Sequence, residues 1–280
     1  MKKIIDISEH NGQIDFYKVK QAGICDVIIR IGWIGNKENH TIDKRFNEYL
    51  NLAKANGFNI GVYVYSYCKN VETLTSGMKW MLKNLNNQKL ELPVFLDLED
   101  TQIANISKEY LTSLAKYYCD YMQMNGYTAG IYANKNWFEN HLTHDKLLNY
   151  KIWWAEYNGK ENATNSLKID LWQYTSTGKV NGINGNVDIS ICLCKEENKE
   201  NITGEKQSKE EFEVKEYVNG STKEIVYQDA NCTKQIGYLN PRETCKCYGL
   251  VNNKALIVYK IDSSNNYKTG FVNWLGGIKH

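Results

Sequence analysis

The chain has 280 residues, enough to bury a full-sized core, and this length favours one large domain followed by a smaller one. Its 34 Lys and Arg residues nearly balance 32 Asp and Glu residues without forming a basic cluster, which argues against nucleic acid as a partner. No stretch approaches the ~20 apolar residues that cross a bilayer, so no membrane-spanning segment is expected.

The amino terminus meets Asp6 before the apolar core of a signal peptide can form, and we therefore expect synthesis in the cytoplasm without a signal peptide. Eight cysteines are scattered along the chain, and free thiols are the favoured interpretation. The two closest pairs are spaced C-x-C, which is not the usual zinc-binding spacing. The sequence gives no indication of a metal or organic cofactor.

Short β-branched and aromatic runs alternate with longer helical patterns up to about Cys194. Eight strands are predicted, at Ile4–Ser8, Val27–Trp33, Ile60–Tyr67, Leu92–Glu99, Thr128–Asn134, Lys151–Tyr157, Asp170–Ser176 and Val187–Cys192. Helices are predicted between the early strands, including Lys44–Asn56, Glu72–Leu85 and Lys108–Asn125. The last strands are joined by short loops. This order predicts an α/β fold, a parallel-type barrel with helices over its first five or so strands.

Four acids are expected at the mouth of this barrel. Asp97 and Glu99 end the fourth predicted strand on one face, because side chains two residues apart on a strand point the same way. Asp6 and Asp188 alternate with aliphatic residues in the first and last strands, and polar groups near strand ends line a barrel mouth. The pattern indicates a barrel hydrolase. An acidic strand end that simply meets solvent is the alternative for the fourth strand alone.

Aromatic side chains are predicted to accompany these acids. Tyr63 and Tyr65 share a face of the third strand, and Tyr132 and Trp154 are predicted to face inward from the fifth and sixth strands. Such residues suit a sugar-contacting groove, because aromatic rings present large apolar faces. The alternative for each residue is a place in the barrel core.

The segment of residues 195–211 is charged and contains one aliphatic residue, so it is predicted to be a linker, with a short charged helix as the alternative. Beyond it, residues 212–280 show only short strands and turns and predict a small all-β domain. Its strands are predicted at Glu224–Gln228, Gln235–Leu239, Thr244–Tyr248, Ala255–Asp262 and Thr269–Leu275. The stretch Ala255–Tyr259 is a candidate exposed edge for self-association.

Four segments resemble the motifs of glycoside hydrolase family 25, the Chalaropsis-type lysozymes: DISEHNGQIDF (6–16), PVFLDLE (93–99), LWQYTSTG (171–178) and NVDIS (186–190). The resemblance covers about the first 192 residues and implies an irregular (β/α)5(β)3 TIM-like barrel. It further implies cleavage of the β-1,4 bond between N-acetylmuramic acid and N-acetylglucosamine in peptidoglycan.

By the same resemblance, Glu99 would be the general acid. Asp97 would orient the 2-acetamido group or stabilise developing positive charge, with Asp6 and Asp188 completing the cluster. The resemblance leaves open whether the anomeric configuration is retained or inverted.

The segment Thr269–Leu275 resembles the closing strand of SH3-like wall-binding modules, so residues 1–194 are expected to be catalytic and residues 212–280 to bind a cell-wall polymer. The whole architecture resembles a clostridial phage endolysin, which would stay in the host cytoplasm until lysis. A chitinase-like or glucosaminidase barrel is the rival enzyme, although the chain lacks the fuller acidic run that chitinases carry before Asp97. A non-catalytic wall-binding protein is the rival from another class, and it is disfavoured because clustered carboxylates repel and cost stability.

Overall fold

The computed structural model describes residues 2–36, 39–159, 168–193, 215–227, 232, 234–251, 254–260 and 267–273. The chain divides into two compact units, Met1–Glu196 and Glu197–His280, and each has its own β-sheet. The predicted linker, residues 195–211, lies outside the described residues. Within the described ranges, no helix is both long and apolar enough to cross a membrane.

The first unit is a closed barrel of eight strands, which confirms the predicted fold class. Its strands are β1 (Lys3–Ile7), β2 (Asp26–Asn36), β4 (Asn59–Ser66), β5 (Val94–Asp97), β6 (Ala129–Asn134), β7 (Lys151–Ala155), β8 (Leu171–Gly178) and β9 (Val187–Cys192). They follow the order β1-β9-β8-β7-β6-β5-β4-β2, and the pairing of β1 with β2 closes the ring. A short strand β3 (Asn39–Ile42), which the sequence did not predict, pairs with β2 outside the ring.

Helices follow five of the barrel strands in the described part of the chain. They are α1 (Phe16–Gln21), α2 (Phe46–Ala55), α3 (Val71–Leu85), α4 (Lys108–Met124) and α5 (Lys135–Asn140). The three longer ones were predicted, and two of them begin at a side-chain cap: Asn70 accepts from the Thr73 amide, and Ser107 accepts from the Tyr110 amide. The short α1 and α5 were not predicted because six residues give too little helical periodicity to detect.

Strand β9 runs antiparallel to both β8 and β1, so the prediction of a parallel-type barrel is wrong for this strand. The connection from β8 to β9 is short, and a short hairpin can join only antiparallel strands, whereas parallel neighbours need a long crossover. The reversal places the first residues of β9 at the end of the barrel where the parallel strands finish. Asp188 therefore lies directly opposite Asp6 in register.

A layer of apolar side chains fills the barrel below its mouth. Its buried members are Ile4, Ile28, Phe95, Tyr132, Trp153, Ala155 and Leu171. The Trp153 ring lies at the centre, with ring-centroid distances of 4.6 Å to Tyr132, 5.1 Å to Phe95 and 6.1 Å to Tyr63. Its indole nitrogen donates to Ser190 Oγ at 2.9 Å, so the polar atom of this large side chain is satisfied. This layer forms a closed floor.

The second unit is a six-stranded antiparallel sheet, which confirms the predicted all-β class. Its strands are β10 (Lys215–Val218), β11 (Glu224–Tyr227), β12 (Gln235–Leu239), β13 (Thr244–Val251), β14 (Lys254–Lys260) and β15 (Tyr267–Asn273), in the order β10-β13-β14-β15-β11-β12. Ala255–Tyr259 lies in β14, which pairs with β13 on one side and β15 on the other, and these five side chains are buried. The prediction that this stretch is an exposed edge is therefore wrong.

Candidate active site

The site residues stand one step above the floor, because each barrel strand brings its next inward residue to the mouth two positions further along. Asp6 follows Ile4 on β1, and Asp97 follows Phe95 on β5. Glu99 comes directly after β5, while Asp188 reaches the same level from the reversed β9. The structure thus brings the four predicted acids to one end of the barrel. Asp6 and Asp97 are buried, at 6 % and 3 % exposure, while Glu99 and Asp188 are half-buried.

Burial dominates the acidity of this cluster. It raises the pKa of Asp6 well above its usual range, and the charge of Asp188 raises it further. It likewise raises the pKa of Asp97, with the charges of Glu99 and Asp6 adding to the effect. The pKa of Glu99 is raised first by burial and then by Asp188 and Asp100. Repulsion among close carboxylates makes the protonated form of some of them favourable near neutral pH.

Asp6 and Asp188 share a hydrogen bond. It raises the pKa of Asp6 and lowers that of Asp188, although burial still leaves the pKa of Asp188 above its usual range. Asp6 is therefore the donor of this pair and holds the shared proton. The pair joins the first and last strands of the barrel at the mouth.

Gln173 on β8 organises one side of the cluster. Its Nε2 donates to Asp6 Oδ2 at 3.0 Å, and its Oε1 accepts from the hydroxyls of Tyr132 at 2.9 Å and Tyr157 at 2.7 Å. The side chain is 1 % exposed, so all three bonds form in a largely dry environment. Sequence reasoning quoted the LWQYTSTG motif but missed this residue. Its signal was a lone amide at an inward position of an otherwise aromatic and aliphatic strand.

The predicted tyrosines divide between the floor and the rim. Tyr63 packs edge-on against Trp153, and Tyr132 is 8 % exposed and engaged by Gln173, so both belong mainly to the floor. Tyr65 donates to Asp100 Oδ2 at 3.1 Å, and its ring lies 5.1 Å from that of Tyr67. These two half-buried rings form an aromatic part of the rim.

Trp154 does not face inward, and this part of the prediction is wrong. Its ring stacks on Phe138 of α5 with centroids 5.1 Å apart and planes 10° apart, on the outer face of the barrel. Adjacent residues on a strand point to opposite faces, so the neighbouring Trp153 takes the inward position. Two consecutive tryptophans satisfy either alternation, which is why the sequence could not separate them. The rim aromatic on this side is Tyr157, which is 55 % exposed and was also missed.

A sequence model of the glycosyl hydrolases family 25 matches residues 5–183. The chain belongs to this family. The match includes Asp6, Asp97, Glu99 and Gln173 and ends five residues before Asp188. The second unit lies beyond the matched residues.

Similar proteins include known wall-lytic enzymes. This family 25 chain is 26 % identical over 188 residues to the autolytic lysozyme of Clostridium acetobutylicum, covering 67 % of the chain and 54 % of that protein. It is 29 % identical, with a TM-score of 0.60, to the autolysin LytC of Streptococcus pneumoniae, solved with a synthetic peptidoglycan ligand. That match covers 68 % of the chain and 46 % of LytC. The CTP1L endolysin matches at 25 % identity and a TM-score of 0.59, covering 69 % and 66 % of the two chains. The chain thus spans about half the length of the first two proteins.

Proposed function

We propose that this protein is a lysozyme that hydrolyses the β-1,4 bond between N-acetylmuramic acid and N-acetylglucosamine in bacterial peptidoglycan. The observation that carries the proposal is a half-buried Glu99 with a raised pKa, beside the buried Asp97 at the open end of the barrel. Membership of family 25 supports it, as do the similarities to an autolytic lysozyme and to an autolysin that was solved with a peptidoglycan ligand.

Glu99 is the general acid in this proposal. It gives its proton to the glycosidic oxygen as the bond to the anomeric carbon breaks, and a group with this task must stay protonated near neutral pH. Burial and the charges of Asp188 and Asp100 provide that condition. Water later supplies the hydroxyl group at the anomeric carbon, and its proton restores Glu99.

Asp97 is the anionic partner. The bond cleavage leaves positive charge on the sugar ring, and a buried carboxylate stabilises it strongly because the surroundings screen the charge poorly. The same carboxylate can instead orient the 2-acetamido group of the sugar. Asp97 Oδ1 is buried without a hydrogen-bond partner among the described residues, so it is available for either contact.

The rim aromatics Tyr65, Tyr67 and Tyr157 are the proposed sugar-contacting residues. They surround the acids, and each exposes part of its ring. Tyr63 and Tyr132 support them from the floor. Trp154 has no place in this groove, because helix α5 covers its ring.

Product analysis tests the proposal. Purified peptidoglycan is digested with the wild type, with Glu99→Gln and with the matched control Glu139→Gln, whose side chain is exposed on α5. New sugar ends are marked by borohydride reduction and identified by mass spectrometry. We expect reduced N-acetylmuramic acid ends from the wild type and the control, and a rate at least about 10²-fold lower for Glu99→Gln. Reduced N-acetylglucosamine ends would indicate a glucosaminidase, and no cleavage by any protein would favour a wall-binding scaffold.

We also propose that the second unit binds a cell-wall polymer and that the protein acts as a phage endolysin. The second unit has its own buried core and lies outside the catalytic family match, as expected for a separate targeting module. Tethering to the wall raises the local substrate concentration. The similarity to the CTP1L endolysin supports the lytic role.

Deletion of residues 212–280 tests the targeting role. We expect unchanged cleavage of small soluble muropeptides, slower lysis of intact cells and weaker co-sedimentation with purified walls. Unchanged co-sedimentation would refute wall targeting by this unit.

A further inference from the structure

Arg30 brings a positive charge to the inner side of the barrel. It follows Ile28 of the floor by two residues on β2 and lies opposite Tyr63 in register, so its side chain enters the layer that carries the acids. Only 11 % of this side chain is exposed. A charged group so deeply buried needs partners, and those of Arg30 are well defined.

Asp43 holds Arg30 in place. Arg30 Nε donates to Asp43 Oδ2 at 2.8 Å, and the Asp43 side chain is fully buried. Asp43 is itself fixed, because its carboxylate accepts from the backbone amides of Glu9 at 3.0 Å and Arg45 at 2.9 Å. The guanidinium also lies 5.3 Å from the centre of the Trp33 ring. These contacts prevent the guanidinium from turning towards solvent.

The other end of the guanidinium remains available. Arg30 Nη2 is buried and makes no hydrogen bond among the described residues, and its nearest acidic partner is Glu9 Oε1, at the ion-pair distance of 3.6 Å. Its charge acts on the acid cluster. Arg30 opposes the rise in the pKa of Asp97, whereas no such effect of Arg30 acts on Asp6, Glu99 or Asp188.

We propose that Arg30, clamped by Asp43, is a positioning residue that keeps the negative charge of the acid cluster on Asp97 and leaves the proton on Glu99. The inference rests on the proposed lysozyme function for its catalytic meaning. Glu99 and Asp97 are close in the chain and both are shielded from water, so repulsion between them does not by itself decide which one ionises. A fixed cation beside only one of them does decide it.

The test compares Arg30→Gln, which removes the charge but keeps hydrogen-bond donors, with Arg30→Lys, which keeps the charge. The matched control is Arg45→Gln, whose side chain pairs with Glu48 and points away from the cluster. Two quantities are measured: kcat/KM on peptidoglycan against pH, and the titration of the Asp97 carboxyl carbon by NMR, assigned with Asp97→Asn. One close opposite charge commonly shifts an acid by 1–3 pH units. Arg30→Gln should therefore lose about tenfold more activity on the acidic limb than at neutral pH.

In Arg30→Gln the Asp97 titration should also move to higher pH, whereas Arg30→Lys and Arg45→Gln should titrate close to the wild type. An equal loss of activity at every pH with an unmoved Asp97 titration would overturn the proposal and leave Arg30 a structural residue. If Arg30→Gln does not fold, Asp43→Asn provides the same comparison by releasing the clamp. A moved titration in a protein that cleaves no peptidoglycan would refute the proposed function and leave the charge assignment standing.

Discussion

Replacing Gln173 with leucine should destabilise the barrel by an amount that follows from its three hydrogen bonds. Leucine fills a similar volume but leaves Asp6 Oδ2 without its donor and the Tyr132 and Tyr157 hydroxyls without their acceptor. Tyr157 is 55 % exposed and can turn to water, whereas Asp6 and Tyr132 are at most 8 % exposed. Each buried group left unsatisfied costs about 1–3 kcal/mol, so we expect a loss of roughly 2–6 kcal/mol.

Urea unfolding followed by tryptophan fluorescence measures this loss, because six of the seven tryptophans precede residue 197. A double-mutant cycle with Tyr132→Phe gives the sharper test. Phenylalanine removes the hydroxyl that the leucine would strand, so the double variant should be more stable than the sum of the single losses by about 1 kcal/mol or more. A Gln173→Leu protein within 0.5 kcal/mol of the wild type, or a cycle without coupling, would refute the network.

Two further predictions concern the acids. Burial raises the folded-state pKa of Asp97 above its unfolded value, so its contribution to stability is present at low pH and is lost as the pH rises through the folded pKa. Asp97→Asn should thus be more stable than the wild type at pH 8, by about 2 kcal/mol for one repulsion across ~7 Å, and equal to it near pH 3. Urea unfolding at both pH values measures this, with the exposed Asp145→Asn as an unchanged control. Asp188→Asn removes a charge that raises the pKa of Glu99, so cleavage should fall off at a lower pH than in the wild type; an unmoved basic limb in a kcat/KM profile would contradict this.

Asp97→Asn is also expected to lose most of the catalytic rate, by about 10²–10⁴-fold, as the removal of a positioned acid or base group does. Greater stability together with lower activity is the combination expected when a site holds charges in an unfavourable place for the sake of function. A variant that lost both stability and activity would indicate instead that Asp97 is part of the structural framework.

Much of the barrel could be predicted because its strands carry strong local signals. The predicted Val187–Cys192 has the same bounds as β9, and the predicted Ala255–Asp262 overlaps β14 within two residues at each end. Alternation between aliphatic and polar residues fixes both the presence of a strand and its inward face. For this reason the levels of Asp6, Asp97 and Asp188 were also predicted correctly.

The errors share one cause, which is that pairing partners are distant in the sequence. The direction of β9 depends on its neighbours β8 and β1, and the second of these is more than 170 residues away. Trp153 and Trp154 fit either face until the register of β7 with β8 is known. The hydrogen bond from Gln173 to Asp6 spans 167 residues, so no local pattern could indicate it.

The same long-range pairing explains why the site lies where the barrel closes. Asp6 stands on β1, which pairs with β2 on one side and with the reversed β9 on the other, and its hydrogen-bond partners come from β8 and β9. Asp97 lies on β5, across the barrel, and reaches the cluster only when the ring is shut. The acids repel one another, so the closed ring must hold them together against that force. Gln173, the shared proton of Asp6 and the clamped charge of Arg30 are the devices by which this chain offsets the repulsion without neutralising the site.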